Sequence, residues 1–181
     1  MQRNTKSMIQ IYYTHFCNMC FGKNPSRRIF PFSESSDEMK EPSEPQYLIR
    51  FGGYMGEKGR AAASMVLYKD THAIRSEYTW VDVVDSPVEI HFYGLILGME
   101  RLSAMGVTHI KVEGSETAVI DYMEIGGETR SESIRQLYRR AKSLERQFES
   151  VEYDTITKET NHRAIWICKK VVYEAETNNM R

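Results

Sequence analysis

The stretch from Ser86 to Glu113 constrains the fold more than any other part of the sequence, because its apolar spacing changes once from a helical to a strand period. Ser86 and Pro87 suit an N-cap and a first helical position. Apolar residues then recur every three or four positions until Gly106, which predicts a helix of about five turns. They are Phe92, Leu95, Ile96, Met99 and Leu102. Val107–Glu113 alternates as a strand, so helix must pack on sheet.

Three strands are predicted before this helix. Tyr47–Phe51 is a short strand, and the glycine-rich segment that follows, from Gly52 to Gly59, is typical of a turn. Ala61–Lys69 and Ile74–Val84 predict two more strands, the second rich in β-branched and aromatic residues. Short connections between successive strands favour an antiparallel meander.

The sequence beyond Glu113 predicts three helices and one more strand. The strand is Val151–Thr157, and the helices are Thr117–Glu124, a long helix opened by Ser131, and a last helix capped by Asn161 and reaching about Tyr173. The buried face of the long helix is Ile134, Leu137, Tyr138, Ala141, Leu144 and Phe148. This order predicts an α/β (mixed α+β) domain over residues 47–175, with a five-stranded mixed sheet flanked by helices and a tail at 176–181.

Residues 1–46 differ in charge from the rest of the chain. Residues 1–32 carry five cations and no acid, whereas residues 33–46 carry five acids against one lysine and show no periodicity. We expect a disordered basic arm and an acidic linker. No apolar run approaches the roughly 18 residues of a membrane helix, so we expect no membrane partner. The chain is predicted to be intracellular, in cytoplasm or nucleus, with organelle targeting by the arm as the alternative.

The cysteines indicate neither a disulfide framework nor a metal centre. His15, Cys17 and Cys20 form a C-x2-C pair with a nearby histidine, but a structural zinc site needs four ligands. The third cysteine, Cys168, lies in an apolar helical pattern, where a free thiol is usually a small buried hydrophobe. We therefore expect no metal and no other cofactor, and the role of Cys17 and Cys20 stays open.

The order of the elements and five short motifs resemble the ribonuclease H domain, especially its retroelement and plant-type forms. The motifs are Phe51-Gly52-Gly53, Gly94-Leu95-Ile96-Leu97-Gly98-Met99-Glu100, Val112-Glu113-Gly114, Arg146-Gln147-Phe148-Glu149-Ser150 and Lys158-Glu159-Thr160-Asn161. The resemblance covers about Tyr47 to Ala175. It implies the ribonuclease H fold. The family cuts the RNA strand of an RNA–DNA hybrid with two Mg²⁺ ions held by four carboxylates.

The catalytic positions depart from the family's pattern. The resemblance assigns the four carboxylates to Gly52, His91, Ser115 and Ile165, and none of these residues is acidic. Hard cations require charged oxygen ligands, so we expect no catalytic residues and a site that has been filled in. His91 is then an ordinary polar residue between sheet and helix. Glu116, at the end of a strand, is the acid best placed to reach inward, so a ribonuclease with rearranged ligands stays as an outside alternative.

Nucleic-acid binding can survive the loss of cleavage, because phosphate contacts come from basic side chains independently of metals. The long helix region has a net charge of +4 from Arg130, Arg135, Arg139, Arg140, Lys142 and Arg146 against Glu132 and Glu145. Arg135, Arg139 and Lys142 share one face at i, i+4 and i+7, and we predict that they contact a phosphate backbone. The alternative is an ordinary solvated helix face.

Two further segments bear on nucleic-acid recognition. Lys58 and Arg60, in the glycine-rich turn, are candidate phosphate contacts, although they serve a plain hairpin turn equally well. Pro87 and Val88 stand where the resemblance places the residues that touch RNA 2′-hydroxyl groups. Because those groups distinguish RNA from DNA, we expect weak binding without that discrimination.

These features predict a catalytically inactive ribonuclease H-like module that binds nucleic acid weakly and resembles a domesticated retroelement domain. The alternative, of a different class, is a protein–protein interaction scaffold that uses a sheet edge or the helix faces. The sequence leaves the oligomeric state and the partner's identity open.

Overall fold

The computed structural model describes residues 46–82, 84–127 and 129–178. The strands are β1 (Tyr47–Met55), β2 (Ala61–Lys69), β3 (His72–Val81), β4 (His109–Gly114) and β5 (Ser150–Thr155). The helices are α1 (Pro87–Ala104), α2 (Thr117–Ile125), α3 (Glu132–Glu145) and α4 (His162–Asn178). The predicted arm and the cysteine pair Cys17 and Cys20 lie outside the described residues.

The five strands form one mixed sheet in the order β3-β2-β1-β4-β5. β1 and β3 are both antiparallel to β2, whereas β4 is parallel to β1 and β5 is parallel to β4. The predicted five-stranded mixed sheet and its antiparallel meander are confirmed. Phe51 pairs with Gly114, the last residue of β4, so Gly52 of β1 lies beside Ser115, which directly follows β4.

The helices cover both faces of the sheet. α1 packs on the face that carries Ile49 and Phe51 of β1, and α2 and α3 complete this main core. Its fully buried large side chains include Met65, Leu67, Phe92, Leu95, Met99 and Leu102. Because successive strand residues point to opposite faces, Ala62 and Ser64 face the other side, where α4 packs with Cys168 and Val172. Cys168 is fully buried, as the sequence predicts.

Local capping signals set the helix limits. Ser86 Oγ accepts the backbone N–H of Val88 at 3.2 Å, and Pro87 is the first residue of α1. Gly106 ends the helix with φ of +73°, in the left-handed region that glycine adopts without a Cβ clash. Ser131 Oγ accepts the N–H of Ile134 at 3.3 Å and starts α3. No helix in the described ranges combines the length and the apolar character that a membrane span requires.

The predicted glycine-rich turn is wrong in position. β1 continues through Gly52 and its neighbour to Met55, which pairs with Ala61, and the turn is confined to residues 56–60. Gly56 N–H donates to the Arg60 carbonyl at 2.8 Å and closes it. Gly52 is therefore a strand residue, and its lack of a side chain serves the packing of α4 rather than a reversal of the chain.

Candidate functional site

The positions that the ribonuclease H resemblance assigns to metal ligands lie together beside the carboxyl end of β4. Gly52 lies on β1 and Ser115 directly follows β4, while His91 comes from the first turns of α1 and Ile165 from α4. Asn161, just before α4, lies among them. We call these five residues the converged site.

The backbone of α4 covers Gly52. A Cβ placed on Gly52 would lie 3.0 Å from the carbonyl carbon of Ala164 and 3.1 Å from the amide nitrogen of Ile165. On the neighbouring strand, Ser64 Oγ donates to the Ala164 carbonyl at 2.7 Å and holds the helix there. Backbone atoms cannot swing away as a flexible side chain does, so any side chain at Gly52 would displace α4. The helix itself occupies the space that a carboxylate at this position would need.

Asn161 bridges β1 and the residue that follows β4. It is buried, with 1% of its surface exposed, and Nδ2 donates to the Phe51 carbonyl at 2.8 Å and to Ser115 Oγ at 3.1 Å. Oδ1 is buried and has no hydrogen-bond partner in the described part of the chain. Asn161 directly precedes α4, as predicted, and its carbonyl accepts the N–H of Ile165 at 3.3 Å, but its side chain does not cap the helix. The buried carbonyl of Phe51 on β1 requires a donor, and this tertiary bond replaces the side-chain cap.

His91 lies in the seam between α1 and β1. Its side chain is 12% exposed, and its ring meets the Phe51 ring edge-on with 6.2 Å between centroids. Burial, together with the nearby ammonium of Lys158, lowers the pKa of His91 to about 4. The imidazole is therefore neutral at pH 7. Nε2 lies 3.9 Å from Glu116 Oε2, and Nδ1 is buried without a partner among the described residues.

Two other acids near these positions are engaged elsewhere. Glu113 pairs with Arg50 at 2.8 Å and with Lys111 at 3.1 Å. Glu89 accepts the hydroxyl of Ser133 at 2.5 Å, which links α1 to α3. Of the three acids Glu89, Glu113 and Glu116, it is Glu116 that reaches the converged site, with its carboxylate 3.9 Å from His91.

The donor atoms present do not fit a pair of Mg²⁺ ions. Hard cations take several charged oxygen ligands, and two ions in one site need several carboxylates. The converged site offers a glycine, a serine hydroxyl, a buried amide and an isoleucine, with one neutral imidazole beside one carboxylate. Within residues 46–82, 84–127 and 129–178, no three His, Cys, Asp or Glu side chains are grouped so that they could hold a metal.

The basic residues of α3 are only partly available for contact with a ligand, because some of them already bind other groups of the protein. Arg135 pairs with Glu132 and donates to the Thr129 carbonyl at 2.9 Å. Lys142 pairs with Glu145 at 2.7 Å. Arg139 is exposed and forms no ion pair with any described residue. We refer to Arg135, Arg139 and Lys142 as the α3 stripe.

Lys58 and Arg60 contact the protein itself. Lys58 Nζ donates to the Glu176 carbonyl at 3.1 Å, and its backbone N–H donates to the carboxylate of the same residue. Arg60 Nη1 donates to the Ala175 carbonyl at 3.3 Å. Both side chains satisfy backbone acceptors in the last turns of α4, which would otherwise lack helical partners. Their predicted contact with phosphate stays a prediction.

Two features of this region are absent from the predictions made from the sequence. The hydrogen bonds of Asn161 cannot be predicted from neighbouring residues, because its partners Ser115 and Phe51 are 46 and 110 residues away. The exposed aromatic residues of α4, Trp166 and Tyr173, do have a signal. They are seven positions apart, and the helical period places them on the face opposite the buried one.

Comparison with known proteins supports the fold. A profile of the reverse transcriptase-like family matches residues 51–171. No curated protein matches the sequence at a significant level. RNase H1 from the halophilic archaeon Halobacterium salinarum is similar in structure, with a TM-score of 0.66, 19% identity, and coverage of 71% of this chain and 98% of that one.

Two further solved structures are similar. The N-terminal RNase H domain of a Mycobacterium tuberculosis protein, solved as a fusion with maltose-binding protein, has a TM-score of 0.68 and 17% identity, covering 75% of this chain and 99% of that one. LC11-RNase H1, solved in complex with an RNA/DNA hybrid, has a TM-score of 0.65 and 13% identity, covering 71% and 98%. At these identities the likeness shows the ribonuclease H fold.

Proposed function

This chain belongs to the reverse transcriptase-like family, and we propose that it is a ribonuclease H-like module that does not cleave RNA and binds nucleic-acid duplexes weakly. The observation that carries the proposal is the closure of the converged site. The backbone of α4 lies against Gly52, and the buried Asn161 side chain joins Phe51 of β1 to Ser115 after β4.

The chemistry of the reaction supports the loss of cleavage. In-line displacement at phosphorus in a two-metal site needs cations on both the attacking and the leaving oxygen. Glu116 supplies one negative charge, and the lowered pKa of His91 leaves a neutral imidazole beside it. A single carboxylate cannot hold two hard cations in place.

The α3 stripe is the duplex-binding surface that we propose. The ion pairs of Arg135 with Glu132 and of Lys142 with Glu145 join residues three apart on a partly exposed helix face, where such pairs contribute little to stability. A phosphate can therefore replace either carboxylate at small cost, and Arg139 needs no exchange. Lys142 also donates to the Met123 carbonyl at 3.1 Å, so it is the member of the α3 stripe that is held most firmly. The LC11 enzyme, similar in fold, was solved with an RNA/DNA hybrid, which supports a duplex as the ligand class.

A cleavage assay tests the first part of the proposal. A labelled RNA–DNA hybrid incubated with the full chain in Mg²⁺ or Mn²⁺ is expected to stay intact. Cut RNA that disappears in the double variant His91→Ala, Glu116→Ala would contradict the proposal and support a nuclease with rearranged ligands.

Retention on an immobilised duplex tests the second part. The triple variant Arg135→Glu, Arg139→Glu, Lys142→Glu is expected to lose retention at low salt, and added salt should weaken the unaltered protein steeply through counterion release. The control with the same change in charge is the triple variant Lys69→Glu, Arg75→Glu, Arg101→Glu, whose positions lie on β2, β3 and α1. Equal retention of both triple variants would exclude the α3 stripe.

A specific observation favours the second candidate function, a protein-interaction scaffold. β3 ends the sheet and has no strand beyond it in the described chain, and its Tyr78 and Trp80 are exposed. An edge strand with apolar side chains can accept a further strand from a partner. An unaltered protein that binds no duplex even at low salt would favour this function.

A further inference from the structure

The outer face of α4 carries an alternation of cations and aromatic rings. Arg163, Trp166, Lys170 and Tyr173 recur at i, i+3, i+7 and i+10, so they form one line along the helix. We call this line the outer α4 stripe. It lies opposite the buried face of α4, which consists of Ala164, Cys168 and Val172. Trp166 is 58% exposed and Tyr173 is 71% exposed.

Packing does not account for these two aromatic residues. α4 contacts the sheet through small side chains, and neither Trp166 nor Tyr173 belongs to a hydrophobic cluster of the described chain. Both rings therefore leave apolar surface in contact with water, which is unfavourable, and no apolar side chain of the described chain covers them. They are separated by about two turns, or about 10 Å, with a cation between them.

The charges along the stripe favour an anionic ligand. Lys170 Nζ lies 5.1 Å from the centre of the Trp166 ring, and its distance from the Glu174 carboxylate is 3.9 Å, at the long limit of an ion pair. Arg163 forms no ion pair with any described residue. Lys169 lies on the adjacent flank, over the Tyr54 ring.

We propose that the outer α4 stripe binds single-stranded nucleic acid. Trp166 and Tyr173 stack on bases, and Arg163 and Lys170 contact the phosphates on either side. Cationic surfaces with interleaved aromatic rings are the usual means of holding single strands, because every base has a face that can stack. In a duplex these base faces are already stacked on one another, so the rings favour a single strand.

The outer α4 stripe is separate from the duplex-binding surface proposed for α3. It lies on another helix and binds single strands by base stacking, and this binding does not require the α3 stripe. α4 also starts at the converged site, since Asn161 directly precedes it. The outer α4 stripe therefore begins at Arg163, two residues after Asn161 of the converged site.

Fluorescence of Trp166 tests the proposal directly. The chain has two tryptophans, so Trp80→Phe leaves Trp166 as the single reporter in the full-length protein. Titration with an oligothymidylate of about 12 nucleotides, within the usual site size, is expected to quench its emission in a saturable and salt-sensitive way. The reciprocal variant Trp166→Phe, which leaves Trp80 on β3, is expected to show no quenching.

Substitution of the second ring gives a matched pair of variants. In the Trp80→Phe background, Tyr173→Ala is expected to weaken binding about tenfold, the effect of losing one stacked base. Tyr78→Ala, which removes an exposed tyrosine from β3, is expected to leave binding unchanged. The triple glutamate variant of the α3 stripe is expected to keep the Trp166 quenching. Loss of duplex binding by the α3 stripe can therefore be distinguished from loss of single-strand binding by the outer α4 stripe.

Three results would overturn the inference. The first is absence of binding to the oligonucleotide at low salt. The second is binding that leaves Trp166 emission unchanged or is insensitive to Tyr173→Ala. The third is self-association of the unaltered chain that Trp166→Ala abolishes, as measured by sedimentation, because this would make the outer α4 stripe an interface between two copies.

Discussion

The side-chain amide of Asn161 donates a 2.8 Å hydrogen bond to the main-chain oxygen of Phe51, 110 residues earlier in the chain. A second bond from the same nitrogen reaches Ser115 Oγ at 3.1 Å. Asn161 therefore ties the start of α4 to Phe51 of β1 and to Ser115, directly after β4. Buried carbonyl groups require donors, and here the side-chain amide of Asn161 supplies one to Phe51.

Replacing Asn161 by Ala is expected to lower the free energy of unfolding by about 1 to 2 kcal/mol, because the buried Phe51 carbonyl then lacks its side-chain donor. Part of that loss is offset, since the variant also removes the buried and unpartnered Oδ1. Urea denaturation measures the change. Asn178→Ala, at the exposed end of α4, is the control and is expected to stay within about 0.5 kcal/mol of the parent. Equal stability of the two variants would contradict the bridging role of Asn161.

Gly52→Ala is expected to destabilise the protein by about 1 to 3 kcal/mol, because the new methyl group meets the backbone of Ala164 and Ile165. Thermal denaturation followed by circular dichroism measures the loss. Ser76→Ala, at an exposed position of β3, is the control and should change little. Gly52→Asp is expected to be at least as damaging and to bind no Mg²⁺ in calorimetric titration. A stable, Mg²⁺-binding Gly52→Asp variant would show that the converged site is open.

The lowered pKa of His91 predicts an acid-sensitive fold. The folded pKa of about 4 lies below the unfolded value of about 6.5, so the unfolded chain takes up the proton first. The contribution of His91 to the free energy of unfolding is therefore complete above about pH 6.5. It falls as the pH drops toward 4, by up to about 3 kcal/mol. The Glu116 carboxylate 3.9 Å away attracts the proton, but burial and Lys158 outweigh it.

Urea denaturation at several pH values between 7 and 4.5 tests the assignment to His91. His91→Gln removes the titrating group and is expected to flatten the pH dependence of the unfolding free energy in this range. The control is His109→Gln, since the His109 side chain is mostly exposed, and this variant should keep the parent's slope. An unchanged slope in His91→Gln would assign the acid sensitivity to other groups.

Cys168 is expected to be unreactive in the folded protein. Burial raises the pKa of its thiol to about 11, and the thiolate is the reactive form. In a Cys17→Ser, Cys20→Ser variant, which leaves one thiol, a disulfide reagent at pH 8 should modify Cys168 at least about a hundredfold more slowly than in the urea-unfolded chain. Similar rates in the two states would show that α4 opens readily from the sheet.

The sequence alone predicts those helices and strands that are marked by the spacing of nearby residues and by capping residues. A helix needs an apolar residue every three or four positions and a capping residue at its start, and both are present from Ser86 to Gly106 and from Ser131 onward. Strand alternation and the short links of β1, β2 and β3 likewise predict the meander. These patterns predict the mixed sheet flanked by helices, because few arrangements bury so many apolar faces in this chain order. The ribonuclease H fold itself is implied by the resemblance of five short motifs.

The tertiary structure alone decided what the residues of the converged site do. Gly52 looks like a turn residue in the sequence, yet it is a strand residue covered by the backbone of α4. Asn161 looks like a helix cap, yet it binds Phe51 and Ser115. His91 is neutral because elements distant in the chain remove it from water. Local patterns extend over about one helical turn, whereas packing, burial and hydrogen-bond partners depend on elements up to 110 residues apart.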